Sequence, residues 1–233
     1  MFGAEGEGEG SRDALRALLD RAGIPVVIPE ENGGLCCGTP WKSKGHLDGY
    51  ARMSNRVLES LWVASRHGEL PVVCDAASCT EGLDVMLAQS VAKNPGYAGL
   101  RIEDATTFVS REVLPKLTVT AKLPTIAVHP TCSTTALGAT GALTTIAEAV
   151  ADDVFVPEGW GCCAFAGDRG MLHPELTASA TAQESAEIAE AESTRGDFDA
   201  FVSANRTCEI GMTRATGRPY RHVIEVLEEL TRP

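Results

Sequence analysis

At 233 residues, 44% apolar and 22% charged, the chain is long enough for one large domain or two small ones with real cores, which excludes a disordered or collagen-like protein. The formal net charge is −12 and the basic residues are scattered, so nucleic acid and anionic membrane are poor partners, and small molecules or proteins are better ones. No apolar run can cross a bilayer. Met1 to Gly10 is acidic and Gly-rich, without the basic and apolar regions of an export signal, so the expected location is the cytoplasm, with peripheral attachment at the inner membrane face as the alternative.

In chain order, Ser11 is the predicted N-cap and Gly23 the stop of a first helix, and residues 24–29 form a buried strand. Residues 46–67 are a long helix with Met53, Val57 and Leu61 on one side. A strand over 70–76 leads into a helix over 80–93, which ends before the turn Asn94-Pro95-Gly96. Residues 103–117 are helical and 119–124 a linker. A strand over 125–128 then runs into His129-Pro130-Thr131-Cys132. Residues 154–156 and 198–204 are the remaining strands, 175–192 an Ala/Glu-rich amphipathic surface helix, and Val223, Val226, Leu227 and Leu230 mark the closing helix. Strands alternating with helices imply an α/β fold, each half a small parallel sheet flanked by helices.

The eight cysteines are Cys36, Cys37, Cys74, Cys79, Cys132, Cys162, Cys163 and Cys208. Random placement gives fewer than one adjacent pair, yet two occur, and adjacent cysteines bridge each other only with strain. Their surroundings match. Val26-Val27-Ile28-Pro29-Glu30 precedes Gly33-Gly34-Leu35-Cys36-Cys37-Gly38 and Lys44-Gly45; Val154-Phe155-Val156-Pro157-Glu158 precedes Gly159-Trp160-Gly161-Cys162-Cys163-Ala164 and Arg169-Gly170. Each copy has a helical pattern upstream and a strand ending near another cysteine downstream, Cys79 or Cys208. The chain therefore reads as a tandem repeat, residues 1–119 and 120–233. In that alignment the residue matching Cys132 falls before Met1, so the first copy lacks its opening cysteine, and the expectation is a chain that continues a longer polypeptide.

Cys37, Cys79, Cys132, Cys163 and Cys208 all follow predicted strands and precede predicted helices. In open α/β sheets that carboxyl edge is where ligands gather, so these sulfurs should converge where helix N-termini favour negative charge. Neighbouring and distant cysteines combined suit a multi-iron centre better than tetrahedral zinc, which often takes two CxxC knuckles; zinc and thiol redox chemistry stay open at this point. Cys74, inside a strand, reads as a small core hydrophobe.

The pattern Cys132, Cys162-Cys163, Cys208, with Cys36-Cys37-Gly38 and Cys79, resembles the cysteine-rich CCG domain found in tandem in heterodisulfide reductase, in the iron–sulfur component of glycolate oxidase and in lactate-utilisation proteins. The stretches from Gly161 to Gly170 and from Asn205 to Glu209 look most like the C-terminal region of bacterial FAD-linked D-lactate dehydrogenases. The resemblance implies an iron–sulfur electron-transfer module, with Cys132, Cys162, Cys163 and Cys208 holding a [4Fe–4S]-type cluster and Cys36, Cys37 and Cys79 a degenerate or partner-completed site. It also implies an oxidoreductase component of D-lactate or glycolate type that is inactive alone, with FAD on an upstream region or on a flavin-containing dehydrogenase partner, and a separate electron acceptor. Alternatives are a zinc-stabilised interaction domain and a thiol–disulfide reductase of heterodisulfide reductase type. Three positions depart from the family pattern: Asn205 and Ala76 stand where CxxC has its first cysteine, and Ala164 where CCG has glycine. His129, three residues before Cys132, is a ligand or proton-donor candidate, though a histidine ending a strand is more often simply hydrogen-bonded. Lys42, Lys44, Asp168, Arg169, Arg206, Arg214 and Arg218 flank the cysteines and read as solvated charges.

Overall fold

The computed structural model describes residues 10–233 and divides into two compact units, one of residues 25–105 and one of residues up to 24 together with 106–233. A repeat is a division of sequence and a compact unit a division of packing, and the two need not share a boundary. The chain begins with α1 (Ser11–Arg21), whose apolar face Ala14, Leu15, Leu18 and Leu19 is buried. Its N-cap is Gly10, at φ 84°, and no side chain caps it, so Ser11 opens the helix instead of capping it as expected. Gly23, at φ 67°, ends it in the left-handed region that only glycine enters freely.

Unit 25–105 contains α2 (Thr39–Ser43), α3 (Leu47–Ala64), β1 (Val72–Cys74), α4 (Ala77–Val91) and β2 (Ile102–Asp104). β1 and β2 pair in parallel, with Val72 beside Ile102 and Cys74 beside Asp104. The core consists of Val57, Leu58, Leu83, Met86 and Leu100, joined by Cys37. Two expectations fail here. Residues 24–29 are not a buried strand: Val26, Val27 and Ile28 are 51%, 58% and 41% exposed and belong to no sheet. The matching residues of the second copy pair with the strand leading to Cys132, and the described part of unit 25–105 has no counterpart of that strand. Nor is 103–117 one helix, because its first residues pair with β1 as β2 before the chain winds on as α5 (Ala105–Phe108), a π turn over Val109–Val113 and a 3-10 turn over Leu114–Lys116. Three residues are too few for periodicity to separate strand from helix.

The larger unit continues with β3 (Leu123–Val128), α6 (Cys132–Ala136), α7 (Thr140–Val150), β4 (Ala151–Phe155), α8 (Arg169–Leu172), α9 (Pro174–Ala180), α10 (Ala182–Arg195), β5 (Ala200–Ser203), α11 (Arg206–Thr216), β6 (Tyr220–His222) and α12 (Val223–Leu230). All four strands are parallel, in the order β4-β3-β5-β6. β3 is first in sequence but internal in the sheet. The connections leave it in opposite directions, which makes the carboxyl ends of β3 and β5 a topological switch point. α1 packs on α12, and Arg21 donates to Glu228 at 2.8 Å. Residues 175–192 are two helices, not one surface helix: α10 buries Glu184, Ile188 and Ala191 on one side.

His222 begins α12, its Nδ1 accepting the Ile224 amide hydrogen at 3.2 Å, and burial pushes its pKa down to about 4 from 6.5. The folded state needs the neutral ring, whereas the unfolded chain takes up a proton below pH 6.5. This contribution is therefore complete above pH 6.5 and is lost as pH falls towards 4. His222→Asn keeps a capping acceptor and removes the titration. Between pH 7 and 4 the wild type should lose up to about 3 kcal/mol more stability than the variant in urea titrations. Parallel pH curves for the two proteins would refute the buried neutral ring.

Candidate metal centre

At the switch point β3 leads into His129 and β5 towards Asn205. The His129 amide donates to the Val202 carbonyl at 2.8 Å, and Ser203 Oγ donates to the His129 carbonyl at 2.9 Å, so the backbone of both strand ends is tied together. Cys132 opens α6 after Thr131, whose hydroxyl and that of Thr134 form a reciprocal cap. Cys208 lies in the first turn of α11, and in the smaller unit Cys79 lies in the first turn of α4. Three of the cysteines thus sit at helix N-termini, where the macrodipole favours thiolate, but burial and the neighbouring sulfurs outweigh it and all three thiols are raised.

Cys162 and Cys163 arrive on the loop after β4, where adjacent side chains point apart: Cys162 is exposed and Cys163 buried. The doublet is followed by Ala164 at φ 53°, and the Ala164 amide donates to Cys162 Sγ at 3.4 Å. Gly38, after the first doublet, has φ 78°. The position after each doublet is therefore a left-handed turn, the physical reason for glycine in CCG, and Ala164 accepts a strain of roughly 1–2 kcal/mol there. Gly38 is needed twice over, because a Cβ would also stand 2.6 Å from the Tyr50 ring.

Cys163 Sγ and Cys208 Sγ lie 3.2 Å apart, much longer than a disulfide bond of about 2.05 Å and close enough to share a hydrogen bond. That bond, then His129, holds the Cys163 thiol well below its ordinary range, and the same bond together with burial pushes Cys208 far up. Asn205 Nδ2 donates to Cys208 Sγ at 3.6 Å, so the residue replacing the family cysteine still faces the centre. Burial raises the Cys132 thiol, with the Cys162 sulfur the next cause. Cys163 and Cys208 thus meet inside, while Cys132 and Cys162 are exposed and act on each other. Phe165 and Ile210 pack around the inner pair.

His129 is fully buried. Its Nδ1 lies 2.8 and 2.9 Å from the two carboxylate oxygens of Glu184, itself 2% exposed. Burial alone would lower the imidazole pKa, but the Cys163 sulfur and the Glu184 carboxylate outweigh it and bring it to about 9. A ring nitrogen of His129 and the Cys163 and Cys208 sulfurs lie within 4.8 Å of one another. Glu184 was missed in the sequence because its helix reads as surface. The available signal was its place at helical spacing on the Ile188 and Ala191 stripe, where a carboxylate needs a buried partner.

In the smaller unit Cys37 and Cys79 repeat the inner pair. Their mutual hydrogen bond depresses the Cys37 thiol and raises Cys79, and Thr39 Oγ1 lies 3.4 Å from Cys37 Sγ. Cys36 is half-buried and raised chiefly by burial. Cys74 packs in the apolar core on β1, where burial pushes its thiol up to about 11 and keeps it neutral.

An α/β scaffold presenting doubled cysteine constellations at strand ends defines a metal or iron–sulfur binding class. The family model of the CCG cysteine-rich domain matches twice, over residues 4–84 and 126–213, and the chain belongs to that family. No curated protein matches it significantly. Among the described residues no helix is long and apolar enough to cross a membrane.

Proposed function

We propose that the chain is the iron–sulfur electron-transfer module of an FAD-linked 2-hydroxy acid dehydrogenase of D-lactate or glycolate type, an oxidoreductase component that is inactive without its flavin-bearing region or partner. The observation that carries this reading is the contact of the inner sulfurs Cys163 and Cys208, 3.2 Å apart, with the thiol of Cys132 raised by burial and by its neighbours Cys162 and Cys163. The residues fit such a group: soft thiolates are the donors iron–sulfur centres use, and one thiol of the pair is already biased towards thiolate. When bound, a [4Fe–4S]-type centre stores and passes single electrons. The chain supplies ligands from Cys132, Cys162, Cys163 and Cys208, an apolar wall of Phe165 and Ile210 that keeps water from the inner sulfurs, and the N-terminal amides of α6 and α11 facing the negative charge. Cys36, Cys37 and Cys79 form a second, sulfur-poorer site.

A dithiol reading is favoured by the same 3.2 Å separation, because a depressed thiol beside a protonated one is also the ground state of thiol–disulfide exchange. Anaerobic purification with iron and sulfide assay decides between them. The expected sample is brown, absorbs near 400 nm, bleaches with dithionite and carries about four irons per filled site. A colourless protein with stoichiometric zinc would establish the interaction-domain alternative, and an iron-free protein trapped as a mixed disulfide the exchange reaction.

A further inference from the structure

The buried pair His129–Glu184 is not needed by an all-cysteine centre, yet His129 stands beside the inner sulfurs. Both carboxylate oxygens of Glu184 lie within 2.9 Å of Nδ1, so the N–H of that nitrogen is committed to the carboxylate. The other ring nitrogen, Nε2, is buried and has no partner at good hydrogen-bond geometry among the described residues, and besides Glu184 the neighbour that acts on the ring is the Cys163 sulfur. Buried ring nitrogens are nearly always partnered, and with the Nδ1–H held by a carboxylate it is Nε2 that gives up its proton to an incoming metal and offers it a lone pair. An Nδ1–H held by a carboxylate, with Nε2 left for the metal, is the arrangement that orients metal-binding histidines. The remaining donors are at hand, since a His129 ring nitrogen and the Cys163 and Cys208 sulfurs lie within 4.8 Å of one another. Tetrahedral ligation by nitrogen and sulfur puts neighbouring donors about 3.5–3.8 Å apart, so closure needs side-chain shifts of about an ångström. The family's missing sulfur is at Asn205, whose amide donates to Cys208 and cannot replace a thiolate.

We propose that His129 is a metal ligand of the second site, Nε2 completing a mixed nitrogen–sulfur donor set with Cys163 and Cys208, and that Glu184 is the positioning residue that aims it. The inference rests on reading the site as a metal centre, but not on that metal being iron. On binding, the metal takes the place of any proton that Nε2 carries towards the Cys163 sulfur.

Cobalt(II), added anaerobically to the metal-free full chain, is the probe. Wild type should show sulfur-to-cobalt charge-transfer absorption and, in proton NMR, a strongly shifted exchangeable signal from a cobalt-bound imidazole with its N–H intact. In His129→Gln that signal should vanish while the charge-transfer band persists at lower affinity. In Glu184→Gln cobalt affinity should fall about 10–100-fold and the shifted N–H should exchange faster with solvent, which mere loosening of a core would not produce selectively. Absence of the shifted imidazole signal in cobalt-loaded wild type would overturn the proposal, with no variant required, and so would a chain that binds no cobalt. If the signal is present but the protein assembles no iron–sulfur cluster, the ligand assignment stands and the electron-transfer reading falls. If a cluster assembles but cobalt reports only sulfur, the reverse holds.

Discussion

Cys163→Ser should abolish the second centre, removing its whole complement of about four irons per chain and the matching absorbance near 400 nm after anaerobic reconstitution. The expectation follows from position. Cys163 is 3% exposed, lies 3.2 Å from the Cys208 sulfur and is held well below the ordinary thiol range, so it is a sulfur prepared to bind a soft metal. Serine keeps the volume but offers a hard hydroxyl that stays protonated at neutral pH. It also leaves a polar group beside Phe165 and Ile210, at a cost of about 1–3 kcal/mol if unpaired. Cys208→Ser should behave the same way. Cys162→Ser, on the exposed side, should retain part of the iron, because water can approach and supply a ligand there. Equal iron contents in Cys163→Ser and wild type would mean that the inner pair is not part of a metal centre.

Phe165→Ala should cost about 3–5 kcal/mol of stability, measured as a lowered urea midpoint with little change of slope. The ring is fully buried and forms one cluster with Cys163, Cys208 and Ile210, while the Arg214 guanidinium stands 5.5 Å over it. Gly170 and Gly211 approach the ring so closely that a Cβ on Gly170 would collide with it, so the space is shaped to this side chain. Removing the ring opens a cavity against the sulfurs. Any bound centre should therefore become more sensitive to oxygen, and the rate at which the 400 nm absorbance decays in air measures that separately from global stability. An air-decay rate and a urea midpoint both equal to wild type would show that Phe165 neither supports the fold nor shields the site.

Much of the site was legible in the order of residues. The doublets, the matching Pro-Glu and Gly contexts and the strand before each cysteine were enough to expect one sulfur-lined rim in the second copy, because in a parallel α/β layer every strand-to-helix turn emerges at the same edge. The CCG resemblance was legible for a local reason too: Gly38 and Ala164 hold left-handed backbone after the doublet, a constraint carried by one residue. The weaknesses came from non-local partners. Residues 24–29 have the β-branched composition of a strand, but a strand exists only if another pairs with it, and here Val26, Val27 and Ile28 remain exposed. Residues 102–104 became a strand because β1 lay beside them.

Composition, spacing and internal repetition were sufficient for the α/β class, the two copies and the cysteines worth naming, since each of these is written in nearest neighbours or in a period along the chain. Folding alone decided which sulfurs face inward, which two of them touch, and that Glu184, 55 positions from His129, clasps its ring. Those outcomes depend on which helix face lands on which strand end, and buried charge finds its partner by proximity in space, which chain position does not encode.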